Sequence, residues 1–375
     1  MQVTIRQDGL GVIEGSGGVS VSHEAVHRWT VSVLSIVGLS EEDADVVAQS
    51  LLFAERRGIS GHGLVRLEVY VQRLRSGGIN PKPQMRLVED NGAAVVLDGD
   101  DGPGAVVASH AVEIVGSRVN RFGLAGVAVR NTGHFGAAGF YVGRISSQGN
   151  IGVITCNSDP LMAPPGGGDR VLGSNPVAIA LPGPEQLLLD MALTTASAGK
   201  LIWARERNTS IPEGWAVDRT GAPTTDPAAG LDGALLPAAG GKGFGLALML
   251  DALAAGLSGG YTSPDVGPLF GADSRPQRLS ILAMAISPAF FVGSQSFEKS
   301  VRHIVSAVRS SRPSSHAAGQ PVLPGERGNR HESAIGSRLT IANSVIQQLS
   351  RVGSELDIPF PSARGQNETR EEQDR

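Results

Sequence analysis

The sequence holds one cysteine, Cys156, in 375 residues. A lone cysteine makes no internal disulfide and no cysteine-based zinc site, so a reducing compartment, the cytoplasm, is expected, and Cys156 reads as a small buried hydrophobe. Charge is also scarce. Lys, Arg, Asp and Glu make up 18% of the chain and leave a formal net charge of -4 without a long basic run. A nucleic-acid surface, which needs clustered cations to neutralise phosphates, is thereby excluded. No uncharged apolar run reaches the roughly 18 residues of a membrane span. The opening MQVTIRQDGLGVIEGSGG lacks the basic start and apolar stretch of a secretory signal. Glycines at the spacing of the dinucleotide fingerprint are missing, as are the HExxH zinc helix and the GxSxG elbow. The histidines lack ligand spacing, so no metal is expected. What remains is a chain of 41% apolar residues whose 50 glycines call for many turns and close backbone approaches.

Apolar periodicity predicts helices over 19–37 and 39–57, the second opened by Ser40 as N-cap with Asp43 three residues on. A third helix, 62–76, stops at Gly77-Gly78, and INPKP then turns the chain. From residue 86 the rhythm alternates: strand 93–97, helix 105–120, strand 124–129, helix 137–147, strand 151–156. Between Asp159 and Gly240, Pro and Gly clusters bracket short strands at 177–181 and 186–191, and ordered loops of this kind often carry function. An apolar helix, 244–257, a buried-type strand, 279–286, and two more helices complete the pattern. The class is α/β. One catalytic unit over 1–360 is expected, with a helical N-terminal part 19–80, a core 86–290 and C-terminal helices 296–357, followed by a disordered tail, 362–375.

Several segments have the residue types of a site. In ERRGISGHGLVR, His62 stands between glycines with Arg66 four residues on, so on a helix the two share a face. An imidazole titrating near neutrality can pass a proton, and a guanidinium fork grips a carboxylate through two charge-assisted hydrogen bonds. The same residues serve equally as a capping histidine beside solvated arginines. In VRNTGHFGAAGFY, His134 sits where a strand turns into a helix, the place where α/β sheets bind ligands, although Gly133 and Gly136 can equally serve only a tight turn. The stretches PPGGGDRVLGSNP and GGKGFG, the latter carrying Lys242 ahead of an apolar helix, offer backbone amides to a phosphate without spelling the Walker motif. Asp190, closing LLLD, can orient an imidazole or merely cap the segment after its strand.

Taken in order, GISGHGLVRLEVYVQRLRSGGINP, NTGHFGAAGFY, LGSNPVAIALP, IPEGWAVDRTGAPTTDP, LLPAAGGKGFGLAL and VLPGE resemble the malate/L-lactate dehydrogenase family. The resemblance implies a non-Rossmann nicotinamide-binding α/β fold, with a mixed β-sheet flanked by helices, often as a homodimer. It implies NAD or NADP in a cleft lined by the glycine-rich loops. The reaction it implies is hydride transfer between nicotinamide and a small 2-hydroxy or 2-oxo carboxylic acid. Reduction of cyclic imino acids, which the family includes, is the alternative, and a catalytically impaired cofactor-binding relative is another. His62 matches the histidine of the family's Ser-His-Gly motif, a proton donor to the substrate, with Arg56 and Arg66 near the substrate carboxylate. His134 matches the histidine of His-Phe-Gly, the acid-base residue in some members. Asp190 matches the Asp of an Asp-Met-Ala-Thr-Ser segment and Lys242-Gly243 the family's Lys-Gly, while Ser158, Thr194, Pro324, Gly325 and Glu326 resemble cofactor contacts. Two positions depart from the pattern: Gly61 stands where the family has serine before the histidine, and Leu193-Thr194-Thr195 replaces the Thr-Ser pair. If that serine hydrogen-bonds substrate or imidazole, its loss changes substrate preference or rate.

Overall fold

The computed structural model describes residues 18–271, 275–314 and 320–361. The tail expected from residue 362 lies outside the described residues. Strand β1 (Gly18–Ser22) leads into helices α1 (His23–Ile36), α2 (Glu41–Arg56) and α3 (Leu67–Ser76). The central elements are β2 (Arg86–Asn91), β3 (Ala94–Gly102), α4 (Gly104–Phe122), β4 (Leu124–Thr132), α5 (Gly139–Ser147), β5 (Ile151–Cys156), β6 (Val177–Ala180) and β7 (Leu188–Met191). A small lobe comes next, built from α6 (Ala198–Glu206), β8 (Ala216–Val217), β9 (Pro223–Thr224), α7 (Pro227–Asp232) and β10 (Ala234–Leu235). The chain returns through α8 (Gly241–Ser258), β11 (Leu279–Ile286) and α9 (Ser294–Arg309) to α10 (Glu326–Ile335), β12 (Arg338–Ala342) and α11 (Asn343–Glu355).

Among the described residues the largest sheet has seven strands in the order β2-β3-β4-β11-β5-β6-β7. Only β3 and β4 run parallel; the other neighbours are antiparallel. Such an order is mixed and is not the doubly wound parallel arrangement of a Rossmann sheet. Side chains alternate across it. Val127, Val129, Ile281 and Ala283 pack into one core with Val107, Val115, Tyr141 and Ile145 of α4 and α5, and Cys156 is buried there too. Ala128 and Leu282 point to the opposite face and meet Ala254 of α8. The sheet is therefore a middle layer between α4 and α5 on one side and α8 on the other.

Strand directions decide where loops gather. Because β11 runs antiparallel to both β4 and β5, those two strands end at the same edge, where Thr132 faces Leu279 and Cys156 faces Ile281. Val177 of β6 pairs with Thr155 and with Met191 of β7, so the start of β6 and the end of β7 lie at that edge as well. The segments carrying His134, Ser158, Asn175 and Thr194 all leave the sheet there.

The structure corrects several boundaries. The helix expected from residue 19 begins only at His23, since Gly18–Ser22 pairs with Arg338–Ala342 as an antiparallel strand. The helix expected over 62–76 is interrupted: Ser60–His62 and Leu64–Arg66 are short 3-10 turns separated by Gly63, and α3 begins at Leu67. The strand expected at 93–97 extends to Gly102 and forms a hairpin with β2, whose residues are exposed and show no alternation. Among the described residues three helices and a strand, rather than two helices, follow β11. Helices α1 to α3 and the C-terminal elements share one core, in which Trp29, Leu51 and Leu67 pack with Leu339, Ile341 and Leu349. Among the described residues no helix is long and apolar enough to cross a membrane.

Candidate active site

Ser40 caps α2 by accepting the Asp43 N–H, and the helix carries the chain to the two short turns that hold His62 and Arg66. Here α2 also touches α4, so these turns meet the strand-end edge of the sheet. His134 arrives from the end of β4. The rings of His62 and His134 stack almost parallel, with centroids 5.6 Å apart and planes 5° apart. Tyr70, buried in α3, places its hydroxyl 2.6 Å from His134 Nδ1, and Gln277 Oε1 accepts the His134 backbone N–H at 3.0 Å. Arg66 donates its Nε–H to Gly61 O at 2.7 Å, and its guanidinium lies over the Phe270 ring. Its Nη atoms take no protein partner among the described residues.

The electrostatics of this cluster follow from crowding. Burial, then the Arg66 charge, pulls His62 down to about 4, and the same two causes with His62 itself hold His134 well below its ordinary value. Both rings are neutral at physiological pH. Burial lowers Arg66 as well, and pushes the Tyr70 phenol far up, so Tyr70 keeps its proton. A protonated phenol whose only partner is an imidazole nitrogen donates to it, because leaving a buried O–H unpaired costs about 1–3 kcal/mol. His134 Nδ1 is thus the acceptor, and the ring's proton sits on Nε2. Asp159, just beyond β5, lies within electrostatic reach of Arg66, and its carboxyl is raised by burial.

Ser158, Thr194, Lys242 and Gly243 form neighbouring parts of the same edge, whereas Pro324 and Gly325 lie against Leu188 at the opposite end of β7. Ser158 donates its N–H to Asn175 Oδ1 and accepts the Ser174 N–H on its hydroxyl. The Asn157 and Asn175 side chains both donate to the buried Asp251 of α8, so the loop after β5, the loop before β6 and α8 are tied together. Thr194 bridges to Pro237, and its hydroxyl oxygen is buried without a protein partner. Lys242 and Gly243 lie in the first turn of α8, whose N-cap, Gly240, provides no side chain. No atom lies within 4 Å of a Cβ built at Gly240, Gly241 or Gly245, whereas one at Gly243 would fall 2.0 Å from Ala238 O. This open helix start with free N–H groups, beside an orphaned hydroxyl, fits the phosphates and ribose of a nicotinamide dinucleotide. Among the described residues no cluster of three His, Cys, Asp or Glu side chains is placed to hold a metal.

Asp190 accepts the Gly139 N–H at 2.7 Å, holding the start of α5 just after the His134 loop, and this bond is neither the contact to an imidazole nor the cap of the segment after its own strand. Burial raises its carboxyl. Pro324 O accepts the Leu188 N–H of β7, and Glu326 at the start of α10 accepts the Leu323 N–H and pairs with Arg330. Arg56 is engaged by α10, its Nε donating to Glu332. Arg57 reaches α10 too, through Asn329, Glu332 and Gly325 O. Sequence reasoning missed Tyr70 and Gln277. The four-residue step from Arg66 to Tyr70 was a usable signal; Gln277 offered none.

A sequence profile of the malate/L-lactate dehydrogenase family matches residues 21–350. The chain is 37% identical over 333 residues to L-sulfolactate dehydrogenase of Methanocaldococcus jannaschii, covering 88% of this chain and 94% of that protein. It is also 37% identical to ureidoglycolate dehydrogenase (NAD(+)) of Escherichia coli O157:H7, covering 88% and 95%. The solved sulfolactate dehydrogenase from Methanocaldococcus jannaschii superposes with a TM-score of 0.85 at 35% identity, over 91% of this chain and 98% of that one. With the mixed sheet and the paired imidazoles already in view, these matches establish that the chain belongs to the malate/L-lactate dehydrogenase family, a family of oxidoreductases.

Proposed function

We propose that the protein is an NAD- or NADP-dependent dehydrogenase that moves a hydride between nicotinamide and the carbon next to the carboxylate of a small 2-hydroxy or 2-oxo acid. The observation that carries this reading is the stacked His62 and His134 pair beside Arg66, at the edge where the central strands end. A bound nicotinamide supplies the hydride acceptor in oxidation and the donor in reduction. The residues that would hold it are Ser158, Thr194, Lys242 and Gly243, with Pro324, Gly325 and Glu326 alongside the start of β7.

The free Nη atoms of Arg66 grip the substrate carboxylate, which fixes the reacting carbon against the imidazole pair. His134, with Nδ1 occupied by Tyr70, turns its Nε2–H toward the substrate oxygen and polarises it. His62, whose ring nitrogens have no hydrogen-bond partner among the described residues, takes the hydroxyl proton in oxidation and returns it in reduction. A carboxylate bound to Arg66 cancels part of the charge that depresses His62 and brings its pKa nearer to neutrality. Asp190, through Gly139, steadies the segment after His134.

A homodimer is part of the same proposal. Helix α8 turns Gly243, Ala247, Asp251, Ala254 and Ala255 inward, while Leu246, Leu248, Met249, Leu253 and Leu257 are exposed. An outer face this apolar on a lone chain calls for a partner, and a second copy supplies one. A cytoplasmic location accords with the single buried thiol.

The test is the absorbance of reduced nicotinamide while the protein meets NAD or NADP with 2-hydroxy acids, and NADH or NADPH with 2-oxo acids and cyclic imino acids. Turnover of a hydroxy or oxo acid bears the proposal out. Turnover confined to cyclic imines moves the reaction to CH–NH groups, and cofactor binding without any turnover leaves an impaired relative.

A further inference from the structure

The last turn of α2 buries a carboxyl that the proposed reaction does not use. Glu55 is 8% exposed, and no ion pair reaches it among the described residues. Its neighbours Arg56 and Arg57 turn to α10, and Arg66 turns to Gly61 O. Glu55 Oε1 accepts the Leu64 N–H at 2.7 Å, and the Ser60 side chain lies near enough to offset part of the effect of burial on the same carboxyl. Gly63 packs directly on it: a Cβ built there would fall 2.2 Å from Oε1 and 2.5 Å from Cδ. The carboxyl therefore touches Gly63 and Leu64 and lies near Ser60, residues on both sides of His62, within the two turns that present His62 and Arg66. Short 3-10 turns have poor hydrogen-bond geometry of their own and need such outside support.

We propose that Glu55 is a positioning residue: its side chain is the post on which the turns carrying His62 and Arg66 are folded, and it sets where imidazole and guanidinium meet the substrate. The inference rests on the dehydrogenase reading for its kinetic arm only. What matters is an acceptor at the correct reach, so a neutral amide of the same length substitutes for Glu55 and a shorter carboxylate does not. Glutamine keeps the acceptor for Leu64 and can donate to the Ser60 oxygen; aspartate keeps the charge but withdraws the acceptor by one methylene.

The experiment compares Glu55→Gln and Glu55→Asp in the full chain. Glu55→Gln is expected to stay within about threefold of wild type in kcat/KM, and Glu55→Asp to lose tenfold or more with KM raised, while the Kd for NAD and NADP stays within twofold in both. The His62 imidazole carbon and proton resonances provide a readout that needs no turnover: they shift in Glu55→Asp and stay at the wild-type positions in Glu55→Gln. A Glu55→Asp variant with wild-type kinetics and unmoved His62 resonances overturns the proposal, as does a Glu55→Gln variant as impaired as Glu55→Asp, which would make charge rather than reach the controlling property. Wild type without turnover on any substrate defeats the dehydrogenase reading alone, and the His62 resonances then decide the role of Glu55.

Discussion

Replacing Tyr70 with Phe removes one oxygen atom and nothing else from the imidazole cluster. The ring stays in its buried place in α3, and no other group among the described residues bonds the hydroxyl, so the fold has little reason to change. What changes is His134. Its Nδ1 loses the only donor that reaches it, at 2.6 Å, and a buried nitrogen lone pair is left unsatisfied. The ring relieves this by moving its proton to Nδ1, which leaves Nε2 as an acceptor facing the substrate oxygen that it should polarise. The loss of about 1–3 kcal/mol for an unsatisfied buried group corresponds to a fall of roughly 5- to 150-fold in kcat/KM. That fall should appear in steady-state absorbance of the reduced nicotinamide, with cofactor Kd and thermal midpoint close to wild type, and ring 15N shifts of His134 should report the change of tautomer. A folded Tyr70→Phe variant with undiminished kcat/KM would refute the assignment of Tyr70 as the group that fixes His134.

Gly243→Ala places a Cβ 2.0 Å from Ala238 O, so the first turn of α8 must shift; cofactor Kd should rise tenfold or more, and an unchanged Kd would remove that turn from the cofactor site. Stability should depend on pH through Glu55: burial raises its carboxyl from 4.5 to about 7, so its contribution is fully present below 4.5 and is lost as pH rises through about 7. That interval sets the change at no more than about 3 kcal/mol, and urea midpoints of wild type and Glu55→Gln that run parallel from pH 4.5 to 7 would count against the shift. His62, lowered from 6.5 to about 4, works in the opposite sense and withdraws stability as pH falls from 6.5 to about 4. Met249→Asp puts a charge in the exposed apolar face of α8 and should convert the proposed homodimer to monomer in sedimentation; a wild-type chain that sediments as a monomer sinks the dimer. A Cβ at Gly61 meets no atom within 4 Å, so Gly61→Ser should fold normally, and its hydroxyl should alter kcat/KM for at least one hydroxy acid by about fivefold, a hydrogen bond's worth; no change on any substrate would place Gly61 away from the reacting atoms.

The parts of the fold that were legible in the sequence are those whose signal is local. Helix α2 announces itself through Ser40 and the stripe Ala44, Val47, Ala48, Leu51 and Leu52, and these residues are buried as the pattern requires. Strands β4, β5 and β11 read as apolar runs because both faces of each are covered by helices. Strand β1 was illegible because Gly18 pairs with Ala342, more than 300 residues away, and the run VSVS sits directly against a well-capped helix. Strand β2 carries no alternation since neither of its faces is buried. The interruption between 62 and 66 was hidden for a different reason: Gly63 looks like a flexible spacer in sequence, yet it is required by the carboxyl of Glu55 lying against it.

The site divides the same way. Motif and residue type pick out His62, Arg66 and His134, and the structure brings those three together although His134 comes from a separate segment. The residues that condition them were read as something else. Tyr70 occupies a core position of an amphipathic helix and Glu55 lies inside the buried stripe of α2, so apolar periodicity absorbs both. Arg56 and Arg57 are indistinguishable by composition, yet both are engaged by α10, whose arrival beside α2 depends on the return of the chain after β11. The governing fact is directional: β11, inserted antiparallel between β4 and β5, makes those strands end side by side, and this is what gathers His134, Ser158 and the helix start at Lys242 around one edge. A sequence read from one end to the other contains each of these segments, but the strand that aligns them comes more than a hundred residues after the first histidine it helps to place.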